Sequence, residues 1–255
     1  MTHTSVPHGD RFLVDYADRL TPLQHENSRA FAGAPGDLTA AMLQQILAVQ
    51  SGPIPQTSFV LEHSPDMPTS YMGSSPVMLS FLQTLILLRR PRKVVEIGTF
   101  IGLSALSMGQ VLPEGASLLT FEKYDTFAAL ARRNLAVNGA AERVEVVVGD
   151  AMETLPARIA NETIDLAFID GDKGRYVDYF ELLAPRMADN GLIVVDDAFF
   201  HGDALNDEPT TDKGAGVKRM LEVAATRDDF HRTLLPLSNG VLLLNRRQIA
   251  TPKSS

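Results

Sequence analysis

The chain has 255 residues and no cysteine, which excludes disulfides, zinc–thiolate sites and cysteine nucleophiles together. It has no lysine-rich run, and its net charge of −8 argues against nucleic acid as a main partner. No apolar stretch is long enough to span a bilayer. The longest, residues 77–88, is interrupted by Ser80, Gln83 and Thr84 and reads as a buried helix. The opening MTHTSVPHGDRF has no apolar centre and does not read as a signal peptide, so the expected location is cytoplasmic, with no membrane partner. Repeats and low-complexity linkers are also missing.

What is present is an α/β alternation. Residues 1–70 read as an N-terminal helical extension, with helical fragments at 10–18 and 37–48 followed by a Pro/Ser-rich connection. Residues 71–247 read as the core of a single domain spanning 1–255. Strands are expected at 94–97, 117–121, 144–148, 164–169 and 192–195, with helical patterns between them. Asn138-Gly139 and Asn190-Gly191 read as turn or helix-stop signals. Such alternation implies right-handed βαβ units and a parallel sheet. Residues 233–237 and 241–244 flank Ser238-Asn239-Gly240 and read as a hairpin.

The stretch KVVEIGTFIGLSAL, residues 93–106, runs from a buried strand through a glycine turn, Gly98 and Gly102, into an apolar helix. Glycines there permit close approach to the backbone, and a helix N-terminus offers free N–H groups. A dinucleotide fingerprint needs G-x-G-x-x-G, whereas here Glu96 precedes Gly98-x-x-x-Gly102. A carboxylate at that place suits a ligand with positive charge better than a pyrophosphate. E-x-G-x-x-x-G resembles motif I of the S-adenosylmethionine (SAM) dependent methyltransferases. A mostly parallel seven-stranded sheet closed by a C-terminal antiparallel hairpin, with helices on both faces, is the class I methyltransferase Rossmann-like fold.

Ligands in open α/β sheets sit outside the carboxyl ends of the strands, and each expected strand here ends in an acid or a glycine. Glu122 follows the second strand and can accept two hydrogen bonds from a ribose diol; the alternative is an exposed acid. Asp150 can accept from an adenine amino group while the Ala151 N–H meets a ring nitrogen; it can also simply cap the next helix. Ser104 either binds the ligand carboxylate or caps its own helix. Asp170 ends the fourth strand, and Asp196 and Asp197 end the fifth. Three adjacent acids repel unless protonated or bridged by a cation, and oxygen-only ligands suit Mg²⁺, Mn²⁺ or Ca²⁺. Lys173, beside such an ion, has its charged form disfavoured and becomes a candidate general base; the alternative is a surface lysine paired with Asp170 or Asp172.

From about residue 72 to 247 the chain resembles the cation-dependent O-methyltransferases of the caffeoyl-CoA and catechol type. The matching segments are YMGSSPVMLSFLQTL, EIGTFIGLSAL, GDAMETLP, FIDGDKGRYVDYFE, GLIVVDDAFFHGD and LPLSNGVLLL. The resemblance implies Asp170 and Asp196 as metal ligands, Lys173 as the group that takes the hydroxyl proton, and Asp170 near the methionine part of SAM. It also implies that Met72 and Gly73 pass over the cofactor and that the protein is a homodimer, to which the apolar helices 42–49 and 78–88 would contribute. Two departures stand out. The family usually has Asp-Asn where this chain has Asp196-Asp197, and it often has a Trp where this chain has Phe199-Phe200.

The expected reaction is methyl transfer from SAM to a hydroxyl of a small catechol-like aromatic, with Mg²⁺ as the first choice of cation. Three alternatives accompany it. One is a metal-independent methyltransferase using Lys173 and His201. The others are a SAM-binding protein without turnover and a nicotinamide oxidoreductase. Tyr176 and Tyr179 read as packing residues, and residues 202–216 as a mobile loop over the acceptor site.

Overall fold

In the computed structural model, which describes residues 45, 46 and 48–248, alternating apolar runs become strands buried on both faces. β1 (Lys93–Ile97), β2 (Ser117–Glu122), β3 (Val144–Val148), β4 (Ile164–Ile169) and β5 (Met187–Val195) are mutually parallel. β6 (Phe230–Leu235) and β7 (Val241–Arg246) form the antiparallel hairpin, and the order across the sheet is β3-β2-β1-β4-β5-β7-β6. Strand order reverses between β1 and β4, which places a crevice at their carboxyl ends.

Period-two alternation splits the core. Val94, Leu118, Leu166 and Val194 face one side, where they meet α3 (Pro76–Arg89), α4 (Leu103–Val111) and α5 (Asp125–Val137). Val95, Phe121, Ala167 and Val195 face the other, against α6 (Ala151–Arg158), α7 (Tyr176–Leu183) and α8 (Asp212–Thr226). Two short helices, α1 (Pro55–Ser58) and α2 (Thr69–Met72), precede α3. Each fully buried Leu, Ile or Phe in these layers contributes about 1.5–3 kcal/mol. Tyr176 and Tyr179 are buried in the second layer, as expected of packing residues.

The helix starts follow local chemistry. Ser75 caps α3 by accepting from the Met78 amide, with Pro76 at the first helical position. Asp150 caps α6 and Thr211 caps α8 in the same way.

Several expectations are corrected. β5 begins at Met187, not at residue 192, because a register shift opposite Ile164 and Leu166 absorbs Asp189 and Asn190 as an irregularity within the strand. Asn190 there is left-handed, at φ 59°. β6 runs from Phe230 to Leu235, earlier than expected, because Pro236 has no N–H to continue the ladder. The expected loop at 202–216 is partly helical: 3₁₀ turns over Phe200–Leu205, broken at the left-handed His201 and Gly202, are followed by α8 from Asp212. Asp203 spans what remains, accepting from the amides and hydroxyls of Thr210 and Thr211. Partial burial works to raise its pKa, but these four bonds outweigh it and lower the carboxyl to about 2. The expected helix at 10–18 and most of that at 37–48 lie outside the described residues.

Among the described residues no helix is long and apolar enough to cross a membrane.

Candidate active site

The acids expected from sequence stand along one edge because the strands stay in register to their ends. Ile97 pairs with both Phe121 and Ile169, and Ile169 with Val195. Backbone bonds continue past the strands: the Gly98 amide donates to the Phe121 carbonyl, Asp170 to Ile97, and Asp196 to Ile169. The close approach at Gly98 is made by the protein itself. Its φ is +98°, and a Cβ there would lie 2.3 Å from the Asp170 carbonyl oxygen. The glycine turn and the Asp170 loop are therefore in direct contact.

At the β1–β3 end, Glu96 is fully buried. Its carboxyl accepts from Ser104 Oγ at 2.5 Å and from Thr120 Oγ1. Burial, which these hydroxyls only partly offset, pushes its pKa up to about 8. Ser104 thus points at Glu96 from the first turn of α4, and no side chain caps that helix after the left-handed Gly102. Its first amides have no partner within the helix. Glu122 accepts from the amides of Thr99 (3.2 Å), Phe100 (2.8 Å) and Tyr124 (3.0 Å). It therefore shapes the glycine turn. Phe100, left-handed at φ 50°, is held edge-on by Phe127. Asp150 caps α6 through the Met152 amide with one oxygen, and its other oxygen meets Arg175 Nη1 at 2.6 Å. Ala151 follows it, buried, at the first position of α6.

Met72, at the end of α2, is 40% exposed, and Gly73 closes that helix by donating to the Thr69 carbonyl. A cavity of about 700 Å³ opens beside them, bordered by Phe59, Leu61, His63, Thr69, Gly73 and Leu103. Leu103 is the first residue of α4, so the cavity adjoins the glycine turn.

At the β4–β5 end, Lys173 Nζ lies 2.8 Å from Asp170 Oδ1 and 2.8 Å from Asp197 Oδ2. Burial opposes the ammonium, but Asp170 and Asp197 outweigh it and hold its pKa well above the usual lysine range. Burial, together with the neighbouring carboxylates, raises Asp196 well above the carboxylate range. Burial also raises Asp170, with Asp197 adding to it and Lys173 opposing it. Asp197 moves the other way: burial opposes ionisation there, but Lys173 and the Asn239 amide lower it. His201 is exposed, left-handed at φ 55°, and its ring stands beside that of Phe200.

Two partners in this site have no local sequence signal. Arg175 reaches Asp150 across 25 positions, and Asn239 donates to Asp197 Oδ1 across 42, at 2.9 Å. The hairpin signal at 238–240 places Asn239 on a turn but does not say what the turn touches.

The oxygen donors and the charge balance suit a divalent cation. Three carboxylates and one ammonium sum to −2 when all are ionised. As placed, Asp170 and Asp197 pair with Lys173, and Asp196 accepts the Asp197 amide. Among the described residues no group of three or more His, Cys, Asp or Glu side chains stands ready to hold a metal.

Comparison with known proteins gives a consistent result. The sequence model of a family described as O-methyltransferase matches residues 60–247. A catechol O-methyltransferase of Niastella koreensis is 29% identical over 165 residues, covering 64% of this chain and 75% of that protein. A catechol O-methyltransferase of Mycobacterium tuberculosis is 36% identical over 144 residues, covering 56% of this chain and 64% of that protein. The crystal structure of the O-methyltransferase TomG from Streptomyces achromogenes, in complex with SAM, superposes with a TM-score of 0.66 at 26% identity. That superposition covers 75% of this chain and 94% of TomG.

Proposed function

Because the chain belongs to the O-methyltransferase family and is a SAM-dependent O-methyltransferase, we propose that it methylates a hydroxyl of a small catechol-like aromatic with help from a divalent cation, Mg²⁺ first. The observation that carries this reading is the contact between two loops. The glycine turn after β1 touches the Asp170 backbone, which supports one crevice for the methyl donor and the acid–lysine cluster. The cofactor residues of this reading are Met72, Gly73, Glu96, Gly98, Gly102, Ser104, Glu122, Asp150, Ala151 and Asp170. Glu122 takes the ribose hydroxyls, the α4 amides the methionine carboxylate, and Asp150 the adenine edge, which it shares with Arg175.

The acceptor oxygen attacks the sulfonium methyl in line, and S-adenosylhomocysteine leaves. A phenol has a pKa of about 10, so little of it is ionised at neutral pH. Asp170, Asp196 and Asp197 would hold the cation, whose chemistry is stabilisation of the acceptor oxyanion. Lys173 takes the acceptor proton in its neutral form. The acid pair suppresses that form, and any positive charge added to the cluster favours it. The cluster also holds oxygen and methyl in attack geometry. A homodimer belongs to the same proposal; its support is the apolar surface left by Leu87 and Leu88, 61% and 75% exposed at the end of α3.

One observation favours a metal-independent reading: an ammonium already lies between Asp170 and Asp197. Methyl transfer from labelled SAM to a panel of catechols, in Mg²⁺ and after thorough metal removal with EDTA, separates the two. The proposal expects a loss of about 100-fold or more, reversed by Mg²⁺. Unchanged turnover supports the metal-independent alternative.

A further inference from the structure

We propose that Asn239, on the turn between β6 and β7, is a positioning residue that dictates the carboxylate at position 197. This rests on the reading of Lys173 and Asp197 given above. The turn is docked tightly on the loop that carries the acid pair. The Ala198 amide donates to the Gly240 carbonyl at 2.9 Å, and the Phe199 amide to the Asn239 carbonyl at 2.8 Å. A Cβ on Gly240 would lie 2.7 Å from the Phe199 ring. On its other side the turn is tied to the start of α3 by a Ser238–Ser75 hydroxyl pair at 2.8 Å.

That docking fixes which way the Asn239 amide faces. The His201 backbone N–H donates to Asn239 Oδ1 at 2.6 Å. A backbone N–H has no acceptor capacity, so the oxygen of the amide must face it and the NH₂ must face residue 197. Residue 197 then meets two donors, Asn239 Nδ2 at 2.9 Å and Lys173 Nζ at 2.8 Å. Only a carboxylate offers an acceptor to both. An amide at 197 has one oxygen, and its NH₂ would oppose either Asn239 or the ammonium, donor against donor.

The same geometry names the arrangement that would admit an amide at 197. With an aspartate at 239, that carboxylate accepts from both the His201 N–H and an asparagine NH₂ at 197, and the asparagine oxygen turns to Lys173. The swapped pair satisfies every donor and leaves the net charge unchanged.

The test is a double-mutant cycle of Asp197→Asn, Asn239→Asp and the double variant, read in thermal melting and in turnover at saturating SAM. Each single change is expected to lower kcat by tenfold or more, with SAM affinity within twofold of the parent. Asn239→Asp also sets two carboxylates against each other. The double variant is expected to regain at least tenfold over the worse single change and to melt above the additive expectation. Effects of the two changes that simply add overturn the proposal. If a single variant fails to fold, a folded double variant is the rescue, and an unfolded one counts against the pairing. Absence of methyl transfer by the parent protein would sink the reaction reading alone, because the melting cycle still tests the pairing.

Discussion

Over β1, β2 and β3, each acid at the sheet edge already has partners of its own. Glu96 takes two hydroxyls, Glu122 three backbone amides, and Asp150 an amide and an arginine. Over β4 and β5, Asp170 and Asp197 share the single ammonium of Lys173, Asp197 also accepts from the Asn239 amide, and among the described residues Asp196 accepts only the Asp197 amide. The first half is held by its own amides, hydroxyls and an arginine before any ligand arrives, so it acts as a preformed mould. The second carries an excess of negative charge that protonation or an added cation must offset. On the proposed function, binding falls mainly to the first half and chemistry to the second, with Asp170 serving both.

The sharpest way to break this division is to remove charge from the second half. Asp170→Asn is expected to lower kcat by about 10²–10⁴-fold, the range of a lost proton-transfer assembly, measured with labelled SAM and catechol. A smaller effect belongs to the first half. Glu122→Gln is expected to weaken SAM binding about tenfold, through a weaker bond to a charged group, with kcat at saturating SAM unchanged; calorimetric titration measures it.

A third effect, on stability and not on activity, separates structure from function within the first half. Glu96 has its pKa raised to about 8 from an ordinary 4.5, so the folded state binds its proton more tightly than the unfolded chain. Its contribution to stability is full below about pH 4.5 and is lost as the pH rises towards 8. Glu96→Gln keeps the shape and removes that dependence. Melting temperatures of the variant are expected to vary less than those of the parent between pH 5 and 8, an effect on the order of a few kcal/mol.

Much of this was legible in the sequence because it depends on local pattern. Val94, Val95 and Ile97 announced β1, and an acid or glycine after each strand marked the crevice edge. Only spacing and turn chemistry were needed. The turn signal Asn190-Gly191 misled because a strand absorbed it: β5 runs through Asn190, whose carbonyl is held by Asn245 Nδ2. Ser104 read as either a ligand contact or a helix cap; it makes no cap, and its hydroxyl donates to Glu96. Arg175–Asp150 and Asn239–Asp197 were invisible because each pair is brought together by sheet order, which no short window encodes.

The most direct test of the division of labour is Lys173→Met, with SAM affinity and turnover measured on the same preparation. The account predicts SAM binding within twofold of the parent and kcat lowered by at least about 100-fold. Retained turnover, or equal losses in binding and turnover, would contradict it.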